Sequence, residues 1–243
     1  MKENKYDEEA FFEKYSQMPR SQMGLRGAAE WPTLKGMLPE FAGRRVIDLG
    51  CGYGWHCRYA AEHGAASVLG VDLSQKMLAR AAEQNAHPAV GYRRAALEDL
   101  SFPPGSFDVV VSSLALHYVR DLAPLVGSVF SWLTPGGDFV FSMEHPVFTA
   151  QGKQDWLYDS QGGILCFPVD RYFEEGARQA VFLGEPVTKY HHTLTTVFGA
   201  LLEAGFVIRK VAEPQPPEDM MEQPGMKDEL RRPMMLIAAA KKP

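Results

Sequence analysis

The segment that most constrains the fold is Val46-Ile-Asp-Leu-Gly-Cys-Gly-Tyr-Gly54, where an apolar run leads into three glycines at alternate positions. The run Arg45–Leu49 predicts a buried strand, and Trp55–His63 predicts the helix that follows. Glycine has no Cβ, so a ligand can approach the backbone closely. The first N–H groups of a helix are unpaired and carry partial positive charge. The segment therefore predicts a strand–loop–helix unit that binds an anionic group of a ligand.

The rest of the chain alternates between short apolar runs and helical stretches, as parallel strands and crossover helices do. Further strands are predicted at Ser67–Val71, Val90–Arg94, Phe107–Ser112, Phe139–Met143, Phe206–Val211 and Met234–Ala240. Helices are predicted at Asp7–Tyr15, Ala28–Leu38, Gln75–Asn85, after Asp121 to about Leu133, and at Tyr190–Ala204. Ser74 and Asp121 are the predicted N-caps of the third and fourth of these helices. The pattern favours an α/β fold with a doubly wound, mostly parallel sheet.

The 243 residues are expected to form a single domain with four parts. These parts are an N-terminal helical lid (1–43), a ligand-binding core (44–146), an insertion on the substrate side (147–189) and a C-terminal helix with closing strands (190–243). The insertion is rich in aromatic residues but too short for a core of its own. The stretch Glu213–Pro233 is rich in proline and acidic residues, which predicts a long functional or mobile loop.

Composition narrows the classes of partner. Lys and Arg total 25 against 30 Asp and Glu, so no chain-wide positive field attracts nucleic acid. The first residues are charged and no long apolar window follows, so neither a signal peptide nor a membrane partner is expected. Three cysteines make no disulfide framework, which predicts a reduced, cytoplasmic location. The C-x5-C spacing of Cys51 and Cys57 matches no zinc pattern, so no metal is expected.

An acidic residue and an indole specify the ligand further. Asp72 follows Gly54 by eighteen residues at the end of the second strand, where a carboxylate can accept from both ribose hydroxyls. Trp55 stands where a dinucleotide fingerprint has its third glycine. Asp48 would repel a pyrophosphate but attract an ammonium group. A ligand with an adenosine, an ammonium and a carboxylate is S-adenosylmethionine, which is the predicted cofactor.

Four blocks over residues 44–146 carry a family resemblance: VIDLGCGYG, GVDLSQKMLARA, LEDLSFPPGSFDVVVSSLALHYV and LTPGGDFVFSMEHP. In their order and spacing they resemble the class I S-adenosylmethionine-dependent methyltransferases. The resemblance implies a Rossmann-like, seven-stranded, mostly parallel sheet with an antiparallel last strand at Met234–Ala240 and helices on both faces. The runs at 144–148 and 190–193 also resemble uncharacterised members of this superfamily.

The resemblance also implies which residues hold the cofactor. Asp48 and the loop Gly50–Gly54, with Gly50, Cys51, Gly52 and Gly54, would hold the methionine end. Asp72 would bind the ribose, and the sulfonium would lie above Ser113 and Leu114. The residues expected around the adenine are Leu73, Met77, the Leu97 backbone and Glu98. Ala96 occupies the position of a common family aspartate, which leaves Glu98, Asp99 or water to bond the adenine amino group.

Two residues before the first strand are candidates to cover the cofactor. Tyr15 and Arg20 could form a lid in which Arg20 meets the carboxylate of the ligand. A solvated N-terminal helix is the alternative. On the acceptor side, His117, His145 and His192 are the candidate catalytic bases, with a structural role as the alternative for each. The aromatic residues of 145–189 could form an acceptor pocket, a homodimer interface or simple core.

The sequence therefore predicts an enzyme that moves a methyl group from S-adenosylmethionine to an oxygen, nitrogen or carbon of a small-molecule acceptor. No Asn/Asp-Pro-Pro-aromatic tetrapeptide typical of DNA amino methylation is present. Three alternatives stay open at this point. They are a nicotinamide oxidoreductase, a protein or RNA methyltransferase, and a non-catalytic S-adenosylmethionine-binding partner protein.

Overall fold

A seven-stranded sheet forms the centre of the computed structural model, which describes residues 4–243. The strands are β1 (Arg45–Leu49), β2 (Ser67–Asp72), β3 (Val90–Arg94), β4 (Phe107–Ser113), β5 (Leu133–Glu144), β6 (Leu157–Tyr158), β7 (Ile164–Cys166), β8 (Gly176–Phe182), β9 (Glu185–His191), β10 (Val207–Ala212) and β11 (Met235–Lys241). The α-helices are α1 (Glu9–Ser16), α2 (Pro19–Gln22), α3 (Trp31–Lys35), α4 (Trp55–Glu62), α5 (Gln75–Gln84), α6 (Leu122–Trp132), α7 (Pro146–Ala150), α8 (Leu194–Ala204) and α9 (Met226–Glu229).

The sheet has the order β10-β11-β5-β4-β1-β2-β3. Strands β1 to β5 pair in parallel, whereas β11 runs antiparallel to both β5 and β10. This topology confirms the predicted Rossmann-like sheet with an antiparallel last strand. Because parallel strands point the same way, the carboxyl ends Leu49, Asp72, Ser113 and Glu144 lie along one edge of the sheet, the edge at which ligands bind in open α/β sheets.

Helices cover both faces of the sheet, as predicted. Successive side chains of a strand point to opposite faces. Accordingly, Ile47 of β1 packs in a cluster with Leu201 of α8 and with residues of α6, while Val46 packs with Ala60 of α4. Burial on both faces explains why the central strands read as continuous apolar runs. Among the helices described within residues 4–243, none is long and apolar enough to cross a membrane.

The predicted helix Tyr190–Ala204 was wrong at its start. Strand β9 continues through His191, and its residues pair with β8 in a hairpin. The helix α8 begins only at Leu194, because the Thr193 side chain caps it by accepting a hydrogen bond from the Thr196 amide. Consequently the predicted boundary between insertion and C-terminal part at residue 189 falls inside a strand.

Other predicted elements differ in length. Within Ala28–Leu38 only α3 is α-helical, because the chain turns at Gly36. Strand β5 begins at Leu133, earlier than predicted, because it pairs with β4 through a register shift. Asp121 precedes α6, but its side chain forms no capping bond. The insertion contains α7 and the hairpins β6–β7 and β8–β9, and the predicted loop Glu213–Pro233 contains α9.

Candidate active site

A cavity of about 800 Å³ opens at the carboxyl edge of the sheet. This volume lies within the range of small-molecule sites. One end, here called the loop end, is lined by Gly50, Gly52 and Asp72 together with Arg20. The opposite end, here called the Glu144 end, is lined by His117, Glu144, Gln154 and Lys189. The two ends belong to one continuous space.

The glycines of the loop meet different neighbours. Gly52 has a φ of +51°, and a Cβ added there would meet nothing within 4 Å, so its backbone faces open space. Gly54 has a φ of +76°, and its Cβ would lie 2.3 Å from the Tyr92 hydroxyl. Gly54 is therefore required for packing, and it does not line the cavity. Cys51 lines a smaller adjoining pocket of about 70 Å³.

Asp72 is fixed by two backbone amides at the end of β2. Its Oδ2 accepts from the Gly52 amide at 2.9 Å, and its Oδ1 accepts from the Ser74 amide at 2.8 Å. Burial raises the pKa of this carboxyl above its usual range. A carboxylate oxygen can accept more than one hydrogen bond, so both oxygens keep capacity for hydroxyl groups of a ligand in the cavity.

Asp48 is a buried carboxylate that pairs with no cation among the described residues. Its Oδ2 accepts from the Cys57 thiol at 3.3 Å, while its Oδ1 is buried without a partner. Within residues 4–243 no cation forms an ion pair with it. Burial raises the pKa of Asp48 to about 7. Asp48 lies behind the loop and does not line the cavity, but its uncompensated oxygen suits a cationic ligand nearby.

Arg20 lies at the loop end and is oriented by an acidic partner. Its Nη2 donates to both carboxylate oxygens of Glu30, at 2.8 and 2.9 Å, and Glu30 is only 2% exposed. The guanidinium makes no other hydrogen bond within the described part of the chain. It therefore retains donors for an anionic group at the loop end. Tyr15 lines the same end of the cavity.

The N-terminal segment, here residues 4–22 with α1 and α2, meets the β8–β9 hairpin above the cavity. The rings of Phe11 and Phe182 make an edge contact at 5.9 Å, and Lys14 forms an ion pair with Glu185 at 2.9 Å. Asp7 anchors the segment by accepting from the Lys76 amide at the start of α5, at 3.0 Å. Residues from both elements line the cavity and so form its roof.

Six predicted cofactor residues occupy the wall between the two ends. They are Leu73, Met77, Leu97, Glu98, Ser113 and Leu114. Leu114 has a φ of +52°, which is unusual for a residue with a side chain. Its amide donates to the Ser142 carbonyl at 2.9 Å, which holds this conformation. Such backbone strain is concentrated at functional sites.

The Glu144 end contains a buried ion pair that the sequence did not indicate. Lys189 donates to Glu144 Oε1 at 2.5 Å and to Gln154 Oε1 at 2.9 Å. Gln154 closes the ring by donating to Glu144 Oε2 at 2.6 Å. Burial alone would raise the pKa of Glu144, but the neighbouring His117 and Lys189 lower it overall. The carboxylate is therefore ionised at neutral pH.

The three candidate histidines lie in different places. His117 lines the cavity, where its Nδ1 accepts from the Glu144 amide at 3.3 Å. Burial lowers the pKa of His117 to about 4, so the ring is neutral at pH 7 and carries its proton on Nε2. In this arrangement the Nδ1 lone pair is used by the Glu144 amide.

His145 and His192 do not line the cavity. His145 Nδ1 accepts from the Val147 amide, and its Nε2 lies 2.8 Å from Glu213 Oε1, off the line that a hydrogen bond requires. The His192 Nε2 donates to the Val119 carbonyl at 3.0 Å. The structure thus brings one of the three histidines to the site, and the assignment of any of them as a base stays a prediction.

Sequence reasoning missed Glu144, Gln154 and Lys189. Glu144 carried a usable signal, because it directly follows the predicted strand Phe139–Met143, at the same edge as Asp72. Gln154 and Lys189 carried none, since both lie in the insertion, Gln154 between α7 and β6 and Lys189 on β9. Within residues 4–243 no group of three or more metal-binding side chains is present.

Comparison with known proteins places this site in a family. Residues 47–141 match the methyltransferase domain family. A Listeria monocytogenes structure described as an S-adenosylmethionine-dependent methyltransferase is 51% identical, with a TM-score of 0.86 over 90% of this chain and 99% of that one. A Mesorhizobium loti S-adenosylmethionine-dependent methyltransferase is 48% identical, with a TM-score of 0.83 over 90% of this chain and all of the other.

A third relative matches only in part. The ubiquinone biosynthesis O-methyltransferase of Ralstonia nicotianae is 43% identical over 43% of this chain and 44% of its own length. The two structural relatives, by contrast, share both the sheet and nearly the whole sequence length. Together with the glycine loop and the acidic end of β2, these matches show that the chain belongs to the S-adenosylmethionine-dependent methyltransferases, enzymes that use S-adenosylmethionine as cofactor.

Proposed function

We propose that the protein methylates an oxygen, nitrogen or carbon atom of a small molecule, with S-adenosylmethionine at the loop end and the acceptor at the Glu144 end. The observation that carries this proposal is the single continuous cavity joining the two ends. Its roof, formed by the N-terminal segment and the β8–β9 hairpin, leaves room for a small molecule rather than a polymer. The partial match to an O-methyltransferase supports the same class of acceptor.

The residues at the loop end fit the proposed cofactor group by group. Asp72 would accept from the ribose hydroxyls, and Arg20 would donate to the methionine carboxylate. Asp48 would supply the negative charge that attracts the ammonium group. Further proposed contacts come from Gly50, Gly52, Leu73, Met77, Leu97, Glu98, Ser113, Leu114 and Tyr15. Cys51 and Gly54 would shape the loop from behind.

When bound, S-adenosylmethionine supplies an electrophilic methyl group on a sulfonium, which is already a good leaving group. The protein then needs chiefly to align the acceptor atom with the methyl carbon and to exclude water. Tyr6 and Tyr118 join their hydroxyls at 2.9 Å across the roof, and Phe182 covers the Glu144 end. These groups would hold the acceptor and keep solvent out during the transfer.

We propose that the N-terminal segment acts as a lid. It closes one side of the cavity through Tyr6, Tyr15 and Arg20, and its contact with the hairpin includes one exposed ion pair, Lys14–Glu185. Opening for exchange of ligands would break this pair, which as an exposed ion pair contributes roughly 0–1 kcal/mol, together with the Phe11–Phe182 ring contact. A homodimer through the insertion stays a prediction.

A direct test uses S-adenosylmethionine with an isotopically labelled methyl group. The purified protein is incubated with it and with a cell extract divided by size into small molecules, RNA and protein. Labelled product in the small-molecule fraction, with matching S-adenosylhomocysteine, is the expected result. The Asp72→Ala variant serves as the inactive control. Label confined to RNA or protein, or cofactor binding without any product, would contradict the proposal.

A further inference from the structure

We infer that the Glu144 end selects a neutral acceptor, in which an apolar body carries a hydroxyl group that donates to the Glu144 carboxylate. This inference rests on the proposed function, since it assigns the acceptor to that end of the cavity. The juxtaposition that carries it is a buried ion pair, neutralised within the protein, in a cavity whose wall also contains apolar and aromatic side chains.

Lys189 has no capacity left for an anionic acceptor. Its side chain is only 4% exposed. An ammonium group has three donors. One goes to Glu144 Oε1 and one to Gln154 Oε1, while the face of Phe182 lies 5.3 Å from the nitrogen. The lysine charge is therefore satisfied within the protein.

Glu144 retains capacity to accept. A carboxylate offers about four lone-pair positions. Lys189 and Gln154 occupy one on each oxygen, and the side chain remains 13% exposed where it lines the cavity. His117 is neutral, and its Nε2 lies 4.0 Å from Glu144 Oε1, beyond hydrogen-bond distance. A hydroxyl group can donate to this carboxylate without changing the net charge of the cluster.

A cationic acceptor would not suit the same place. Glu144 already has an ammonium at 2.5 Å, so a second cation would be repelled by Lys189 at short range. An anion would be repelled by Glu144 itself. Neutral donors are the class that this cluster accepts without leaving a charge uncompensated in a buried site.

The walls determine the body of the acceptor. Apolar side chains on this wall of the cavity come from β8–β9, from α7, from the first residue of β11 and from the residue before it. They are Phe148, Val181, Phe182, Val187, Met234 and Met235. Gln154, which completes the ion-pair ring, has a φ of +56°. A strained backbone at the residue that orients both charges is the pattern expected of a binding site.

The test measures which small probes enter this end of the cavity. The protein is saturated with S-adenosylhomocysteine, and benzyl alcohol, benzyl methyl ether and benzoate are titrated by saturation-transfer NMR. We expect benzyl alcohol to bind about tenfold more tightly than either other probe, as one hydrogen bond to a charged group predicts. Glu203→Gln, on the exposed surface of α8, is the matched control and should leave this order unchanged.

Glu144→Gln should reverse the selectivity. It leaves the Lys189 charge without its partner, so benzoate should gain and the ratio of benzoate to benzyl alcohol affinity should rise about 100-fold. If Glu144→Gln does not fold, the Lys189→Met variant tests the same ion pair from the other side. That variant leaves Glu144 uncompensated and should favour benzylammonium over benzyl alcohol.

Three results would overturn the inference: tighter binding of benzoate than of benzyl alcohol to the unmodified protein, an unchanged ratio in the variants, or no binding of any probe. Methylation of an anionic acceptor would also overturn it while leaving the proposed function intact. Conversely, the expected probe selectivity without methyl transfer to any small molecule would refute the proposed function and leave the selectivity of this end standing.

Discussion

Two buried carboxylates at the carboxyl edge of the sheet show how differently the ends of the cavity are built. Asp48, behind the loop end, has an orphaned oxygen and no cation among the described residues, and burial raises its pKa to about 7. Glu144, at the other end, has Lys189 against it and a lowered pKa. We infer that the loop end takes its compensating cation from the ligand, whereas the Glu144 end carries its own.

The two ends also differ in where their residues come from. The loop end is built mainly on the short stretch 46–54 and on Asp72 of the adjacent strand, with Arg20 added from the N-terminal segment. The Glu144 end joins His117, Glu144, Gln154 and Lys189, which lie on separate elements. A local site depends mainly on backbone conformation, while a dispersed one depends on a side-chain network.

The largest effect is expected from pH. The pKa of Asp48 is about 7 in the folded protein against 3.8 for an ordinary aspartate, so the folded state binds the proton more tightly. This contribution to stability is complete below pH 4 and is lost as pH rises towards 7, by up to about 4 kcal/mol. Urea unfolding of the protein and of Asp48→Asn across this range measures the difference. Parallel pH profiles for the two would contradict it.

Breaking the ion pair at the Glu144 end should cost about 3 kcal/mol in the free energy of unfolding. Lys189→Met leaves Glu144 buried without its cation. The double variant Glu144→Gln/Lys189→Met removes both charges and should recover more than half of the loss. Affinity for S-adenosylhomocysteine, measured by calorimetry, should stay unchanged in both. A weakened cofactor affinity would show that the two ends are not independent.

Asp72→Ala should reduce affinity for S-adenosylmethionine about 100-fold, because two hydrogen bonds from the ribose to a charged group are lost. Calorimetric titration of the cofactor measures the change. Asp219→Ala, an exposed loop aspartate, is the control for loss of one negative charge. Equal affinity in Asp72→Ala and the unmodified protein would show that the ribose assignment is wrong.

Two glycines of the loop should respond in opposite ways. Gly54→Ala should lower stability by about 2 kcal/mol, because a Cβ there adds backbone strain and meets the Tyr92 hydroxyl at 2.3 Å. Gly52→Ala adds only the backbone strain and should lower stability by about 1 kcal/mol. Its new methyl group would project into the cavity, so it should also weaken the free energy of cofactor binding by about 1 kcal/mol or more. Thermal melting with and without S-adenosylhomocysteine separates the two effects. Equal losses of stability and of cofactor binding in the two variants would contradict the different roles assigned to Gly52 and Gly54.

The smallest effect concerns Arg20. Arg20→Met should weaken S-adenosylhomocysteine binding about tenfold through loss of a charge-assisted contact with the carboxylate. Binding of 5′-methylthioadenosine, which lacks that carboxylate, should be unaffected. Glu30→Gln should cause a smaller loss for the first ligand, because it frees the guanidinium rather than removing it. Equal losses for both ligands would indicate a structural role for Arg20.

Predictions were accurate where a feature depends on neighbouring residues. The glycine loop after β1 and the acidic end of β2 could be predicted because a few neighbouring positions decide loop conformation and strand termination. The start of α8 was not, because Tyr190 and His191 pair across a hairpin with Ala177 and Gly176. That pairing overrides the local preference for helix.

The sequence by itself determined the alternation of strands and helices, the glycine loop and the cofactor class, because apolar runs and strand-end chemistry are local. The antiparallel last strand followed from the family resemblance. Tertiary structure decided that Asp48 meets no cation within residues 4–243, that His145 and His192 do not line the cavity, and that Glu144 meets Lys189. Burial and side-chain pairing over long sequence distances depend on how the insertion folds back onto the sheet, and no short pattern encodes that approach.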